Sequence, residues 1–366
     1  MKISATKKAL TGALDQLMKV VPTRSSNPLL TSLHARVTDQ SLVLTGSNLE
    51  IDLQITLPVA AEGEGAIAIP AHLFRHVVAN LPGELVEMQL RGQTLHIESA
   101  DSRNKVQVRE GREFTPITFH EEGTPVPVPG PELTRVFQHA LTNIRSDPYQ
   151  SIYRSVSAEF HQAHTRVVGS DGHRVTYDEL ETPAPVEEDR ALLIPARSLP
   201  QLFAVLAGPE PVLFLGDGRI TARSSNMRAQ IRLADGEYPV YERAIPKHLM
   251  ITAQLPASQL AEVFNRVAVF SDATVNNRTE LTLYSGELTL QAANDYGETE
   301  DRTAATITGE RAEEGLSVFV NATFFPPFLR GLEGDICLSL TGSQSPYVLT
   351  SLAHPRLLTC GVTLKP

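Results

Sequence analysis

The 366-residue chain is long enough for two or three domains, each burying a core of its own. Its 32 Lys and Arg against 42 Asp and Glu give a formal charge of −10, which argues against binding nucleic acid through a strongly basic surface but leaves room for a local basic face. The two cysteines, Cys337 and Cys360, share no CxxC spacing and no histidine cluster, so neither a zinc site nor a disulfide framework is expected, and no metal or cofactor is predicted.

In chain order, "MKISATKKALTGALDQLMKVV" reads as a strand running into an amphipathic helix over 6–19, with Leu10, Leu14, Leu17 and Met18 on one face. It lacks the unbroken apolar core of a signal peptide, and no later run reaches membrane-spanning length, so a soluble cytoplasmic protein is expected. Next come a hairpin with an Asn turn, "SLVLTGSNLEIDLQI", and a strand entering a second helix over 71–81 behind Pro70. An alternating pair, "LVEMQLRGQTLHIES", and a closing strand, "KVQVREG", follow.

The same set then recurs. A helix over 131–145 (Leu133, Val136, Phe137, Ala140, Leu141) precedes the hairpin "TRVVGSDGHRVTYDEL", a helix over 196–207 behind Pro195, and the closing strand "MRAQIRLADG". A helix over 257–270 (Leu260, Val263, Phe264, Val267) precedes "ELTLQAANDYGETED", a helix over 321–332 capped by Asn321, and "RLLTCGVTLKP". The period is about 123 to 126 residues. Three tandem α+β domains are therefore expected, 1–119, 123–247 and 249–366, each with two helices packed on antiparallel sheets.

Asp171 and His173 raise the question of catalysis. They flank one glycine, and a direct Asp–His relay would need side chains of alternating direction to converge. No G-x-S-x-G, phosphate-binding loop or two-histidine metal helix accompanies them. The equivalent turns, "GSNLEI" and "ANDYGE", keep the Asn or Asp but not the His-Arg pair. Turn geometry thus explains Asp171, and something particular to the second repeat must explain His173 and Arg174. No catalytic residue is predicted; a hydrolase using Asp171 and His173 is the enzymatic alternative.

The helices carry net positive charge within an acidic chain. Lys7, Lys8, Lys19, Arg75, Arg135, Arg145, Arg197, Arg266 and Arg330 contribute, with His72, His76 and His139 as further donors. Lys and Arg are good helix formers anyway. Three similar domains that turned these helices to one side would nevertheless collect a surface able to meet phosphates without reading bases.

With "LTGSNLEI", "SDGHRV" and "DGEYPVYERAIP" in this order, the chain resembles the β subunit of bacterial DNA polymerase III, the sliding-clamp family, over its whole length. The resemblance implies a head-to-tail homodimer closing a ring of six domains around double-stranded DNA, without sequence preference. Replicative polymerase, clamp loader and repair proteins would dock through short peptides. It also implies a peptide cleft formed by Arg154, Ser170, Gly172, His173, Arg174 and Val175, by Pro239, Arg243, Ala244 and Pro346, and by the tail residues Val362, Thr363 and Leu364. The ending "VTLKP" departs from the family's usual Met-Pro-Met-Arg-Leu.

For the dimer contact, the resemblance implies that Val106 and Val108 meet Val269 and Phe270, while Arg103 and Lys105 pair with Glu298, Glu300 and Asp301. Arg24 would reach toward DNA, with the helical cations Lys7, Lys8, Arg75, Arg135, Arg145, Arg197, Arg266 and Arg330 beside it. A three-domain scaffold that binds proteins but never DNA is the other alternative, and the net charge favours it.

Overall fold

The computed structural model describes residues 1–144, 151–181, 186 and 188–365. Its α-helices are α1 (Lys7–Leu17), α2 (Ala71–Ala79), α3 (Gly130–Leu141), α4 (Leu199–Leu206), α5 (Ala257–Val267) and α6 (Phe325–Leu329). Each lies within a stretch predicted to be helical or begins one residue before it. The predicted 321–332 helix breaks into a 3-10 turn, Ala322–Phe324, followed by the short α6. Pro326 and Pro327 supply no backbone N–H there, so a longer regular helix has no bonds to build on. Arg145 lies outside the described residues. No helix among those described is long and apolar enough to cross a membrane.

The chain separates into two units. One comprises Met1–Thr134 with Arg197–Ala234, the other Arg135–Ala196 with Asp235–Pro366. In the first unit, Leu10, Leu14 and Leu17 of α1 and Phe74 and Val78 of α2 are buried, as their spacing requires. Thr6 caps α1 by accepting from the Ala9 N–H, and Asp15 of α1 pairs with Arg75 of α2 at 2.9 Å. A five-stranded antiparallel sheet ends on the edge strand Ser102–Gln107. A nine-stranded sheet carries the first hairpin, Ser41–Ser47 with Ile51–Pro58.

The second unit repeats this plan. Its nine-stranded sheet carries the hairpin His164–Ser170 with Arg174–Glu181, and a four-stranded sheet ends on the edge strand Gly297–Ala304. Phe264 of α5 stacks on Phe325 of α6 with ring centroids 3.9 Å apart, and Phe325 stacks in turn on Tyr347.

The repeat is visible in one recurring bond pattern. Asn48 accepts from the N–H groups of Glu50 and Ile51, Asp171 from those of His173 and Arg174, and Asn294 from those of Tyr296 and Gly297. The same side-chain turn thus recurs at intervals of 123 residues. Gly46 and Gly169 keep that spacing too. A Cβ on Gly169 would stand 1.9 Å from the Ala140 carbonyl at the end of α3, and one on Gly46 would stand 2.6 Å from Val21 just beyond α1.

The closing strands do something the sequence pattern did not suggest. Met227–Arg232, at the end of the second repeat, pairs antiparallel with Ile51–Pro58 in the first repeat's hairpin. Leu358–Gly361, at the end of the third, pairs with Arg174–Glu181 in the second's. Each closing strand therefore completes the hairpin of the preceding repeat. Two edges have no such complement among the described residues: the first repeat's closing strand, Ser102–Gln107, and the third repeat's hairpin strand, Gly297–Ala304.

Candidate functional site

The turn at Ser170–Arg174 is closed by its own side chains. Ser170 Oγ donates to the Arg174 carbonyl at 2.7 Å and accepts from the Gly172 N–H. Asp171 Oδ1 accepts from two backbone N–H groups, while Oδ2 takes Nε and Nη2 of Arg174 at 3.1 and 2.9 Å. Arg174 also donates to the Phe324 carbonyl and lies over the Phe324 ring, 4.0 Å from its centroid. Both members of the Asp171–Arg174 pair are buried, and the Asp171 carboxylate is spent on the turn. Gly172 has φ 85°, with Tyr153 against it.

Beside this turn lies a cavity of about 170 Å³. Of the predicted cleft residues it gathers Ser170, Gly172, His173, Arg174, Val175, Pro239, Ala244, Pro346 and Val362. Arg154, Arg243, Thr363 and Leu364 do not line it. Leu364 is instead drawn to the neighbouring sheet, where its N–H donates to the Phe319 carbonyl at 2.7 Å.

Sequence reasoning missed Tyr153, Tyr238, Val240, Tyr241, Cys360 and Gly361, which also line the cavity. The two tyrosines in "YPVYERAIP" were the available signal. Tyr241 donates its hydroxyl proton to Glu159 and accepts from Arg166, and burial raises its pKa. Burial likewise pushes the Cys360 thiol up to about 11, so it is no nucleophile at neutral pH. The walls are therefore apolar and aromatic, with polar turn atoms at one end, an arrangement suited to an extended peptide.

Several predicted DNA-facing cations are already paired. Arg75 meets Asp15, Arg197 meets Glu50 and Arg266 meets Asp301, while Lys7 donates to the Leu81 carbonyl. Arg135 is held as well: its guanidinium lies 2.5 Å from the buried carboxylate of Asp178, with about a third of its own side chain still exposed. Lys8, Arg24 and Arg330 are exposed and in no ion pair among the described residues.

The predicted dimer valines point inward: Val106 and Val108 are only 2% and 6% exposed within the single chain, so their side chains chiefly fill its own core and leave little apolar area for a partner. Val269 is 73% exposed and Phe270 partly so. Arg103, Lys105 and Glu298 are exposed, but Glu300 is held by Gln291 and Arg302, and Asp301 by Arg266.

Residues 1–120 match the model of the DNA polymerase III beta subunit N-terminal domain, and residues 128–240 that of its central domain. The chain belongs to the DNA polymerase III β-subunit family. Among its relatives in this family is the beta sliding clamp of Pseudomonas putida, 25% identical over 324 residues and 87% of this chain, 88% of the relative. That of Bacillus subtilis is 21% identical over 361 residues, 95% of each chain. Two crystal structures share the fold over all of this chain. The Pseudomonas aeruginosa DnaN sliding clamp bound to griselimycin is matched over 100% of its own length at TM-score 0.93 and 22% identity, and the Thermotoga maritima β subunit over 99% at 0.88 and 23%.

In this β-subunit chain the tail is tied to the turn, since the Val362 N–H donates to the His173 carbonyl at 3.0 Å. Deleting the chain from Val362 onward is expected to remove one wall of the cavity and leave the sheets intact. Partner-peptide affinity should fall at least tenfold by fluorescence anisotropy, with the mass in solution unchanged; an unchanged affinity would refute the cleft.

Proposed function

We propose that two copies of the chain join head to tail into a ring around duplex DNA and act there as a cytoplasmic, non-catalytic processivity factor. The observation that carries this reading is the pair of unmatched edges. Within the chain, each closing strand complements the hairpin of the preceding repeat, and Ser102–Gln107 and Gly297–Ala304 are the ends of that series. Placing Ser102–Gln107 of one copy along Gly297–Ala304 of another continues the rule and, applied twice, closes it. Exposed Arg103 and Lys105 on one edge and Glu298 on the other would favour that direction by charge. The exposed Val269 near the second edge supplies apolar area.

In this reading the three repeats are domains 1–119, 123–247 and 249–366, and a ring needs few DNA contacts because closure, not affinity, retains it. Lys8, Arg24 and Arg330 remain as phosphate contacts. The Ser170–Arg174 cavity takes short peptides from polymerase, clamp loader and repair proteins. Loading the protein on nicked circular DNA and then cutting the circle tests the ring. Retention on the circle in high salt and release from the linear product are expected; equal retention on both would indicate ordinary binding. Light scattering should give twice the chain mass.

A further inference from the structure

The first unit holds a second groove of about 310 Å³ beside the Asn48 turn. It stands at the same place in its repeat as the Ser170–Arg174 cavity does in the next. Leu30, Ser47, Leu49 and Asp52 line the groove, and the residues 123 positions later, Tyr153, Ser170, Gly172 and Val175, line the cavity. The sheet register extends the match. Gln230 lies opposite Asp52 as Cys360 lies opposite Val175, and Arg219 precedes the strand position equivalent to the one that follows Pro346.

The chemistry differs where the geometry agrees. At the glycine position of the turn, Leu49 is held at φ 75°, a left-handed conformation that Gly172 adopts without strain. Its side chain is 67% exposed at the groove, so neither the turn nor the core accounts for a leucine there. Val175 is replaced by Asp52, whose oxygens hold Ser47 at 2.6 Å and Gln230 at 3.0 Å. Pro346 is replaced by Arg219, whose nearest carboxylate oxygen, on Asp52, is 3.8 Å away and outside hydrogen-bonding distance. His120, which also lines the groove, sits 3.5 Å from Glu122. Arg219 thus presents a donor fork with no hydrogen bond among the described residues, next to the apolar surface of Leu30, Leu49, Pro116 and Ile117.

We propose that this groove is a second peptide-docking site, which takes an extended segment of a partner protein carrying an apolar side chain beside a carboxylate. The apolar side chain packs on Leu49 and Ile117, and the carboxylate takes two N–H donors from Arg219. This assignment rests in part on reading the Ser170–Arg174 cavity as a peptide cleft, because the two sites are related by the repeat. The altered residues separate their ligands: an apolar and aromatic wall in one, where the Arg174 guanidinium is already bonded to Asp171, and in the other the guanidinium of Arg219, unbonded among the described residues.

The test uses a fluorescein-labelled Gly-Leu-Phe-Asp-Gly peptide and its Asn counterpart, titrated by anisotropy onto the full chain. Saturable binding of the Asp peptide is expected, about tenfold tighter than the Asn peptide. Arg219→Gln should remove that difference, and Leu49→Gly should weaken both peptides without lowering the melting temperature, since φ 75° suits glycine. The tail deletion from Val362 should leave this binding unchanged. Unchanged affinity in Arg219→Gln and Leu49→Gly would overturn the proposal, as would abolished binding in the tail deletion, which would place the peptide in the other cleft. A mass increase with concentration that Leu49→Gly abolishes would assign the groove to a second copy and also overturn it. The cleft reading stands or falls separately, on the tail deletion with a cleft peptide.

Discussion

Asp171→Ala is expected to destabilise the second unit by about 3–5 kcal/mol, the cost of breaking a buried ion pair from one side. The substitution removes the acceptor for the His173 and Arg174 N–H groups and strips Arg174 of its counter-ion while its side chain is only 7% exposed. The Phe324 carbonyl and ring remain, but they cannot neutralise the guanidinium. Asp171→Asn keeps an oxygen for the backbone donors and should lose less. His173→Ala alters an exposed side chain and should stay within about 0.5 kcal/mol. Urea unfolding checks the order: alanine at 171 lowest, asparagine intermediate, alanine at 173 near the parent. A His173→Ala protein that stays folded and no longer binds peptide would fit a docking role. Disappearance of a hydrolytic activity in that folded variant would revive the enzymatic alternative.

That turn was legible because its information is local. An Asn or Asp before two backbone donors, flanked by apolar alternation, specifies itself within a few residues, and its recurrence at Asn48, Asp171 and Asn294 revealed the repeat. The helices were legible for the same reason, since Leu10, Leu14 and Leu17 or Leu260, Val263 and Phe264 mark a buried face by spacing alone. The strand exchange was not. Pairing of Val175 with Cys360 joins residues 185 apart, and nothing in "RLLTCGV" names its partner. The same gap kept Tyr153 and Tyr238 out of the expected cleft and hid the valines' direction. Alternation shows that Val106 and Val108 face the same side, but not that this side is the interior.

Charge was the least legible property, and Asp178 shows why. On strand Arg174–Glu181 its side chain is 1% exposed, with Oδ2 accepting from Arg135 at 2.5 Å and His139 at 2.8 Å and Oδ1 from the Glu179 N–H. From sequence, Arg135 is one more helical cation; in the fold it neutralises a buried acid 43 residues away. Arg135→Ala is therefore expected to cost about 2–3 kcal/mol, because the carboxylate it leaves behind is buried and cannot rehydrate. The same variant should leave the salt dependence of DNA binding unchanged. Arg24→Ala or Arg330→Ala should do the reverse, with little change in stability and a slope of log K against log salt shallower by about one for each phosphate no longer neutralised. Thermal melts and a salt titration on duplex DNA separate the two behaviours. A shallower slope in Arg135→Ala with an unchanged melt would return that residue to the DNA surface and leave His139 and the Glu179 N–H as sufficient partners for Asp178.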